Sequence, residues 1–84
     1  MTVWREACIG FQIDNIKIGG IEVWAQKWRP VKTEPLLLPH PTYPEQMHRY
    51  LVYEIGDSAL PIRFAASELS NGVWGFYVPV ESSN

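Results

Sequence analysis

The sequence lacks the features from which disulfide frameworks, membrane spans and export signals are built. Cys8 is its only cysteine, which excludes an intrachain disulfide and is typical of a reducing compartment. Uninterrupted apolar runs are only a few residues long, far below the ~20 residues that a membrane-spanning helix needs. Residues 1–6 do not join a basic start to an apolar stretch, so they predict no signal peptide. We therefore expect a cytoplasmic protein without membrane association.

Clusters of positive charge are also missing. Seven basic and nine acidic residues are scattered along the chain, for a formal charge of −2. Binding to nucleic acid depends on several Lys or Arg side chains that neutralise phosphates together, so the sequence predicts no such partner. Gly19-Gly20 is not embedded in a phosphate-binding glycine pattern. We expect no cofactor.

Apolar and aromatic side chains are plentiful for so short a chain. Of the 84 residues, 46% are hydrophobic, and four Trp, four Tyr and three Phe are among them. Such a composition disfavours intrinsic disorder and predicts one folded core. At ~0.05–0.15 kcal/mol per residue, the free energy of unfolding should be roughly 4–13 kcal/mol.

The pattern of the chain predicts strands rather than helices. Short runs of β-branched and aromatic residues alternate with Gly, Pro, Asn and Asp, and none shows sustained helical periodicity. Strands are predicted at 3–13, 16–18, 21–28, 49–55, 62–66 and 73–78. Gly19-Gly20 and Asn71-Gly72 predict tight turns, because such turns need positive φ. Short helical turns are expected near 44–48 and 67–70.

Proline interrupts the middle of the chain. Pro35, Pro39, Pro41 and Pro44 disfavour a regular helix and remove backbone donors, so residues 33–48 are expected to form one long Pro-rich loop. We predict an all-β fold: a small, five-stranded, antiparallel, partly open barrel of the SH3-like type. The single domain is expected over residues 1–80, with a disordered tail at 81–84.

The stretch Ile62–Leu69 resembles a strand-turn element of the SH3-like domain in nitrile hydratase β-subunits. The resemblance covers eight of the 84 residues. It includes no catalytic position, so it implies a fold and not an activity. The predicted core consists of Ile9, Phe11, Ile21, Val23, Leu51, Tyr53, Ile62, Phe64, Trp74 and Phe76.

Residues with catalytic or metal-binding chemistry are few. Cys8, His40 and His48 with Glu45 contain ligand types that zinc uses, but their spacing matches no established zinc motif. Cys8 lies between Ala7 and Ile9, where a buried, inert thiol is expected rather than a nucleophile. We therefore predict no metal site and no catalytic residue.

Aromatic residues in the third predicted strand indicate a surface. One face carries Ile21, Val23 and Ala25, and the other carries Trp24 and Trp28 among polar residues. Exposed Trp is typical of recognition surfaces, so Trp24, Trp28, Arg29 and Tyr43 are candidate partner-binding residues. The alternative is that the Pro-rich loop covers both indoles as a second small core.

The resulting hypothesis is a non-enzymatic protein-interaction module: an adaptor, a small subunit of a larger assembly, or a protein inhibitor. Its partner would be another protein, and the sequence leaves open whether it forms homo-oligomers. The alternative function is a small enzyme or a small-ligand-binding protein with an aromatic pocket between barrel and loop. That pocket would be lined by Trp28, His40, Tyr43, His48, Tyr50 and Trp74.

Overall fold

The computed structural model describes residues 3–31 and 34–80, and within these ranges the chain contains strands and one 3₁₀ turn but no α-helix. The all-β prediction is confirmed, and the tail predicted at 81–84 lies outside the described residues. The described part of the chain accordingly has no helix that could cross a membrane. The strands are β1 Val3–Phe11, β2 Lys17–Ile18, β3 Ile21–Glu22, β4 Arg29–Pro30, β5 Leu36–Pro39, β6 Met47–Ile55, β7 Ile62–Ser70 and β8 Val73–Val80, and the 3₁₀ turn is Val23–Ala25.

Six of the strands form one antiparallel sheet in the order β1-β8-β7-β6-β4, with β5 also paired to β6. Strands β4 and β5 lie along different halves of β6, so β1 forms one edge of the sheet and β4 with β5 forms the other. Strands β2 and β3 make a separate hairpin. The sheet thus has more strands than the five expected. The prediction of one long loop at 33–48 is wrong, because Leu36–Pro39 form β5 and pair with β6.

The two predicted glycine turns are confirmed. Gly19 and Gly20 have φ of +60° and +80° and join β2 to β3, where Ile18 pairs with Ile21. Asn71 and Gly72 join β7 to β8, and Gly72 has a φ of +79°. Residues with a Cβ rarely adopt such φ values, so local sequence is enough to place these turns.

Each face of the sheet carries its own apolar cluster. The face that we call the aromatic face carries Phe64, Ala66 and Phe76, which are buried beneath Ile16, Ile18 and Val23. The opposite face, called the tyrosine face, carries Tyr50, Ala65 and Tyr77, against which Trp4, Leu36, Leu38 and Leu69 pack. The segment 12–28 therefore covers one side, and β5 closes over the other.

The sheet curls around its tyrosine face. Tyr77 in β8 donates a hydrogen bond of 2.8 Å from its hydroxyl to the carbonyl oxygen of Pro39 in β5. In a flat sheet β8 and β5 would be three strand spacings apart, about 14 Å. A tyrosine side chain cannot span that distance, so the strands between them must bend.

Three local predictions are wrong. The strand predicted at 21–28 ends at Glu22, because Val23–Ala25 form a 3₁₀ turn that brings Val23 and Trp24 against the aromatic face. No helical turn forms at 44–48. Gln46 N–H donates to Tyr43 O and closes a β-turn, and β6 begins at Met47. Residues 67–70 remain extended within β7, with an irregularity between Glu68 and Ser70.

The core prediction is partly correct. Val23, Phe64 and Phe76 are fully buried, and Ile21, Tyr53, Ile62 and Trp74 pack against them. Ile9, Phe11 and Leu51 are 41%, 50% and 37% exposed, so their assignment to the core is wrong. In β1 the cause is an extra residue, Ala7, between the paired positions Glu6 and Cys8. This bulge reverses the faces, so that Ile9 and Phe11 leave the side on which Val3 and Arg5 lie.

Candidate functional site

Trp24 and Trp28 lie together on the aromatic face. Their rings stack with centroids 5.4 Å apart, and Trp28 also contacts Phe64 at 5.0 Å and Trp74 at 5.7 Å. The indole N–H of Trp28 donates a 2.8 Å hydrogen bond to Val23 O. Both indoles are half-buried. They cover the sheet themselves, and the Pro-rich segment packs on the opposite face through Leu36 and Leu38.

The other two candidate partner-binding residues lie elsewhere. Arg29 in β4 pairs with Glu54, which puts it on the opposite side of the sheet from the aromatic cluster. Tyr43 occupies the tip of the β5–β6 hairpin and is exposed. The four residues therefore do not form one continuous surface.

The six residues of the alternative pocket are distributed over three places. His40, Tyr43 and His48 cluster at the tip of the β5–β6 hairpin, with ring centroids of His40 and His48 5.3 Å apart. Tyr50 lies on the tyrosine face, 5.1 Å from Tyr77. Trp28 and Trp74 belong to the aromatic face.

The histidine tip is built as a turn. The Nδ1 atom of His40 accepts hydrogen bonds from the backbone N–H groups of Thr42 and Tyr43, at 3.0 and 3.2 Å. With Nδ1 accepting, the proton of the neutral ring is on Nε2, so neither nitrogen has a lone pair for a metal. Among the residues 3–31 and 34–80, no group of three or more His, Cys, Asp or Glu side chains could hold a metal ion.

Cys8 is remote from both histidines in the pairing of the sheet. It lies in β1 opposite Phe76 and packs against the aromatic face. Burial, and secondarily the charge of Glu6, raises the pKa of its thiol above the ordinary value. A thiol with a raised pKa forms less of the nucleophilic thiolate at neutral pH, so Cys8 is a poor nucleophile.

Exposed apolar side chains concentrate at the β1 edge of the sheet. Large exposed apolar residues there are Val3, Ile9 and Phe11 in β1, Ile13 in the following turn, and Val80 opposite Val3. On the other side of β1 from β8, none of the described residues pairs with it. We call this side the free edge of β1. A free edge offers unpaired backbone groups to another chain.

The hydrogen-bonding direction of each β1 residue follows from β8. Val73 faces Ser70 across the two-residue turn between β7 and β8, so its N–H and C=O point toward β7. Alternation then points the backbone groups of Phe76 and Val78 toward β1, and those of Pro79 away from it, where its missing N–H interrupts no β1–β8 bond. The β1 residues that face β8 without bonding to it are Trp4, Glu6, Ile9 and Phe11.

The backbone N–H and C=O of one of these four residues, Phe11, already have hydrogen-bond partners within the chain. Asp14 accepts a 2.6 Å hydrogen bond from Phe11 N–H through Oδ2 and donates its own N–H to Phe11 O at 2.9 Å. The carboxylate fits there because residue 10 is glycine: a Cβ at Gly10 would lie 2.5 Å from Asp14 Oδ2. Trp4, Glu6 and Ile9 thus present the open backbone groups of the edge, and all three lie on the tyrosine face with Phe11.

The sequence carried a faint signal of this edge. In an uninterrupted alternation Trp4 and Cys8 would share one face of this strand and Val3, Ile9 and Phe11 the other, so the sequence gives neither face a purely polar character. Mixed faces are typical of a strand that contains a bulge, because the face that is buried changes along its length.

Comparison of the chain with protein-family models, curated proteins and solved structures gave no match. The geometry of the molecule therefore carries the functional argument.

Proposed function

We propose that the chain is a protein-interaction module that binds an extended segment of another polypeptide along the free edge of β1. It would act as an adaptor, a small subunit of a larger assembly or a protein inhibitor. The observation that carries this proposal is the open row of backbone groups at Trp4, Glu6 and Ile9 beside the exposed side chains of Ile9 and Phe11.

Strand addition uses such an edge directly. The main chain of the added strand supplies the hydrogen bonds, and alternate side chains supply specificity. Here Ile9 and Phe11 offer apolar contact on the tyrosine face, while Arg5 and Glu6 add charge at the other end of the strand. Charged residues and a bulge also make an edge less open to indiscriminate pairing, which suits selective binding.

The curl of the sheet supports the finer architecture proposed from the sequence, a partly open SH3-like barrel. The bond between Tyr77 and Pro39 brings non-neighbouring strands together around the tyrosine face. In such a barrel β1 would be the strand beside the opening.

A peptide selection tests the proposed function. A phage-displayed library of random peptides would be panned on the wild-type protein, and the enriched peptides measured against Ile9→Pro. This variant removes the N–H that points to the free edge while leaving the β1–β8 bonds intact. We expect peptide affinity to fall at least tenfold. The variant loses the hydrogen bond from the residue 9 N–H to the peptide, and the proline ring also displaces the peptide strand, so the combined loss of binding free energy should exceed ~1.4 kcal/mol.

Ser58→Pro is the matched control. Ser58 is the second residue of the turn closed by Leu60 N–H on Asp57 O, a position that accepts proline. Circular dichroism would confirm that both variants are folded. If the selected peptides bind Ile9→Pro as well as they bind Ser58→Pro, they do not use the β1 edge and the proposal is wrong.

A further inference from the structure

We infer that the polypeptide that best fits the free edge of β1 is the β1 strand of a second copy of this chain. The two strands would run antiparallel about a twofold axis located between Ala7 and Cys8. The inference rests on the proposed function, because it names the partner of the same edge.

The bulge at Ala7 determines which strand can pair with the free edge of β1 in register. In a regular strand the residues that bond to one side are two apart, but at the free edge of β1 Glu6 and Ile9 are three apart because Ala7 is extra. A regular partner strand therefore loses register between Glu6 and Ile9. A second β1 carries the same extra residue and keeps register across it.

In the twofold register, each β1 residue whose backbone groups point to the free edge faces another such residue of the second copy. With the axis between residues 7 and 8, Glu6 faces Ile9 of the second copy, and Trp4 faces its Phe11. All four lie on the tyrosine face, so the two sheets join with their faces aligned. Because Asp14 occupies the backbone groups of Phe11, the backbone bonds would form at the two Glu6–Ile9 pairs.

Charge and symmetry agree with this arrangement. Arg5 would face Gly10 of the second copy and Glu6 would face Ile9, so no charged residue meets a like charge directly. A twofold contact uses the free edges of both copies and closes, which ends assembly through β1 at a dimer. The contact is short, so a weak dimer is expected.

Sedimentation velocity over a concentration series tests the inference. The wild-type protein should pass from monomer to dimer as its concentration rises toward about 1 mM, the range of weak association. Amide hydrogen exchange should slow at Glu6 and Ile9 over the same range and stay constant at Phe11, whose N–H is already bonded to Asp14. A protein that stays monomeric throughout would overturn the inference.

Charge substitutions test the register. Ile9→Glu would face Glu6 of the second copy and weaken the dimer, whereas Ile9→Lys would face the same carboxylate and leave the dimer as strong or stronger. Two symmetric cross-strand pairs predict about a 2- to 30-fold increase in the dissociation constant for Ile9→Glu. Adding Glu6→Lys to Ile9→Glu should restore the dimer.

Leu60→Glu adds the same charge at an exposed residue far along the chain, and we expect no change in its dimer. Equal weakening by Ile9→Lys and Ile9→Glu would contradict the register. If the wild-type protein stays monomeric but still binds selected peptides through β1, the self-pairing inference fails and the proposed function stands. If peptide binding is also independent of β1, both fail.

Discussion

At the scale of single residues, the two tyrosines of the tyrosine face differ in the hydrogen bonding of their hydroxyls. The hydroxyl of Tyr77 is bonded to Pro39 O, whereas the fully buried Tyr50 has no hydrogen-bond partner for its hydroxyl among the described residues. The Tyr50 hydroxyl lies over Gly75, where a Cβ would be 3.0 Å from its oxygen. A buried hydroxyl without a partner costs free energy, so Tyr50 is a weak point in the packing.

Tyr50→Phe and Tyr77→Phe should therefore change stability in opposite directions. Removing the unpartnered hydroxyl should raise the free energy of unfolding by about 1 kcal/mol, and removing the bonded one should lower it by about 0.5–1.5 kcal/mol. Urea denaturation followed by circular dichroism at neutral pH measures both. A loss of stability in Tyr50→Phe would mean that its hydroxyl does have a partner.

At the scale of elements, Trp28 makes several of the contacts that attach the segment between β1 and β4 to the sheet. Trp28 links this segment to Tyr53 at 5.1 Å, to Phe64 and to Trp74, and its indole N–H holds Val23 O. Aromatic contacts of this kind add to the free energy of burying apolar area.

Trp28→Ala should lower the free energy of unfolding by about 3–5 kcal/mol, a large part of the total expected for a chain of this size. The measurement is the urea midpoint from far-ultraviolet circular dichroism, which does not rely on the removed indole. Leu60→Ala is the control: its side chain is 82% exposed, and a change within ~0.5 kcal/mol is expected. A Trp28→Ala midpoint close to that of the control would show that the segment is held by other contacts.

The elements also show which features the sequence could predict. The turns at Gly19-Gly20 and Asn71-Gly72 were predictable because positive φ depends on the local residue type. The bulge at Ala7 was not, because it is defined by pairing with β8, more than sixty residues away in the chain. The exposed positions of Ile9 and Phe11 follow from that bulge, so they were missed with it.

Long-range packing also decided the other differences. A strand through Val23–Trp28 agrees with local propensity, but the 3₁₀ turn allows Val23, Trp24 and Trp28 to reach the same aromatic cluster. Proline did not prevent β5, because β5 lies at the edge of the sheet, where a missing N–H breaks no ladder. Trp24 and Trp28 lie together, but beside Val23 in the aromatic cluster and not on the opposite face of a strand, and sequence could not show that Arg29 and Tyr43 lie elsewhere.

At the scale of the whole molecule, the buried tyrosine links stability to alkaline pH. Burial, then the neighbouring Tyr77 and Glu6, raises the pKa of Tyr50 to about 12. The folded state thus holds the Tyr50 proton more tightly than the unfolded state, in which the pKa is about 10. This contribution to stability is complete below pH 10 and is lost as the pH rises from about 10 to about 12.

Stability should therefore decline over that interval with a slope of up to about 1.4 kcal/mol per pH unit from this one proton. Urea midpoints measured at several alkaline pH values give the slope, and Tyr50→Phe should show a shallower one. The pKa of Tyr77 is also raised by burial, so some decline should remain in the variant. Identical slopes in both proteins would place the titration elsewhere.

Asp14 affects more of the molecule than its own turn, because it limits the length of the free edge of β1. Its carboxylate and N–H end the row of open backbone groups at Ile9, so a strand added to β1 finds no continuous edge along which to extend. Fibril growth requires such an edge, repeated from one molecule to the next. A single acidic side chain beside a glycine thus limits the length of edge open to pairing, and under the proposed function the same side chain would separate recognition of one strand from polymerisation.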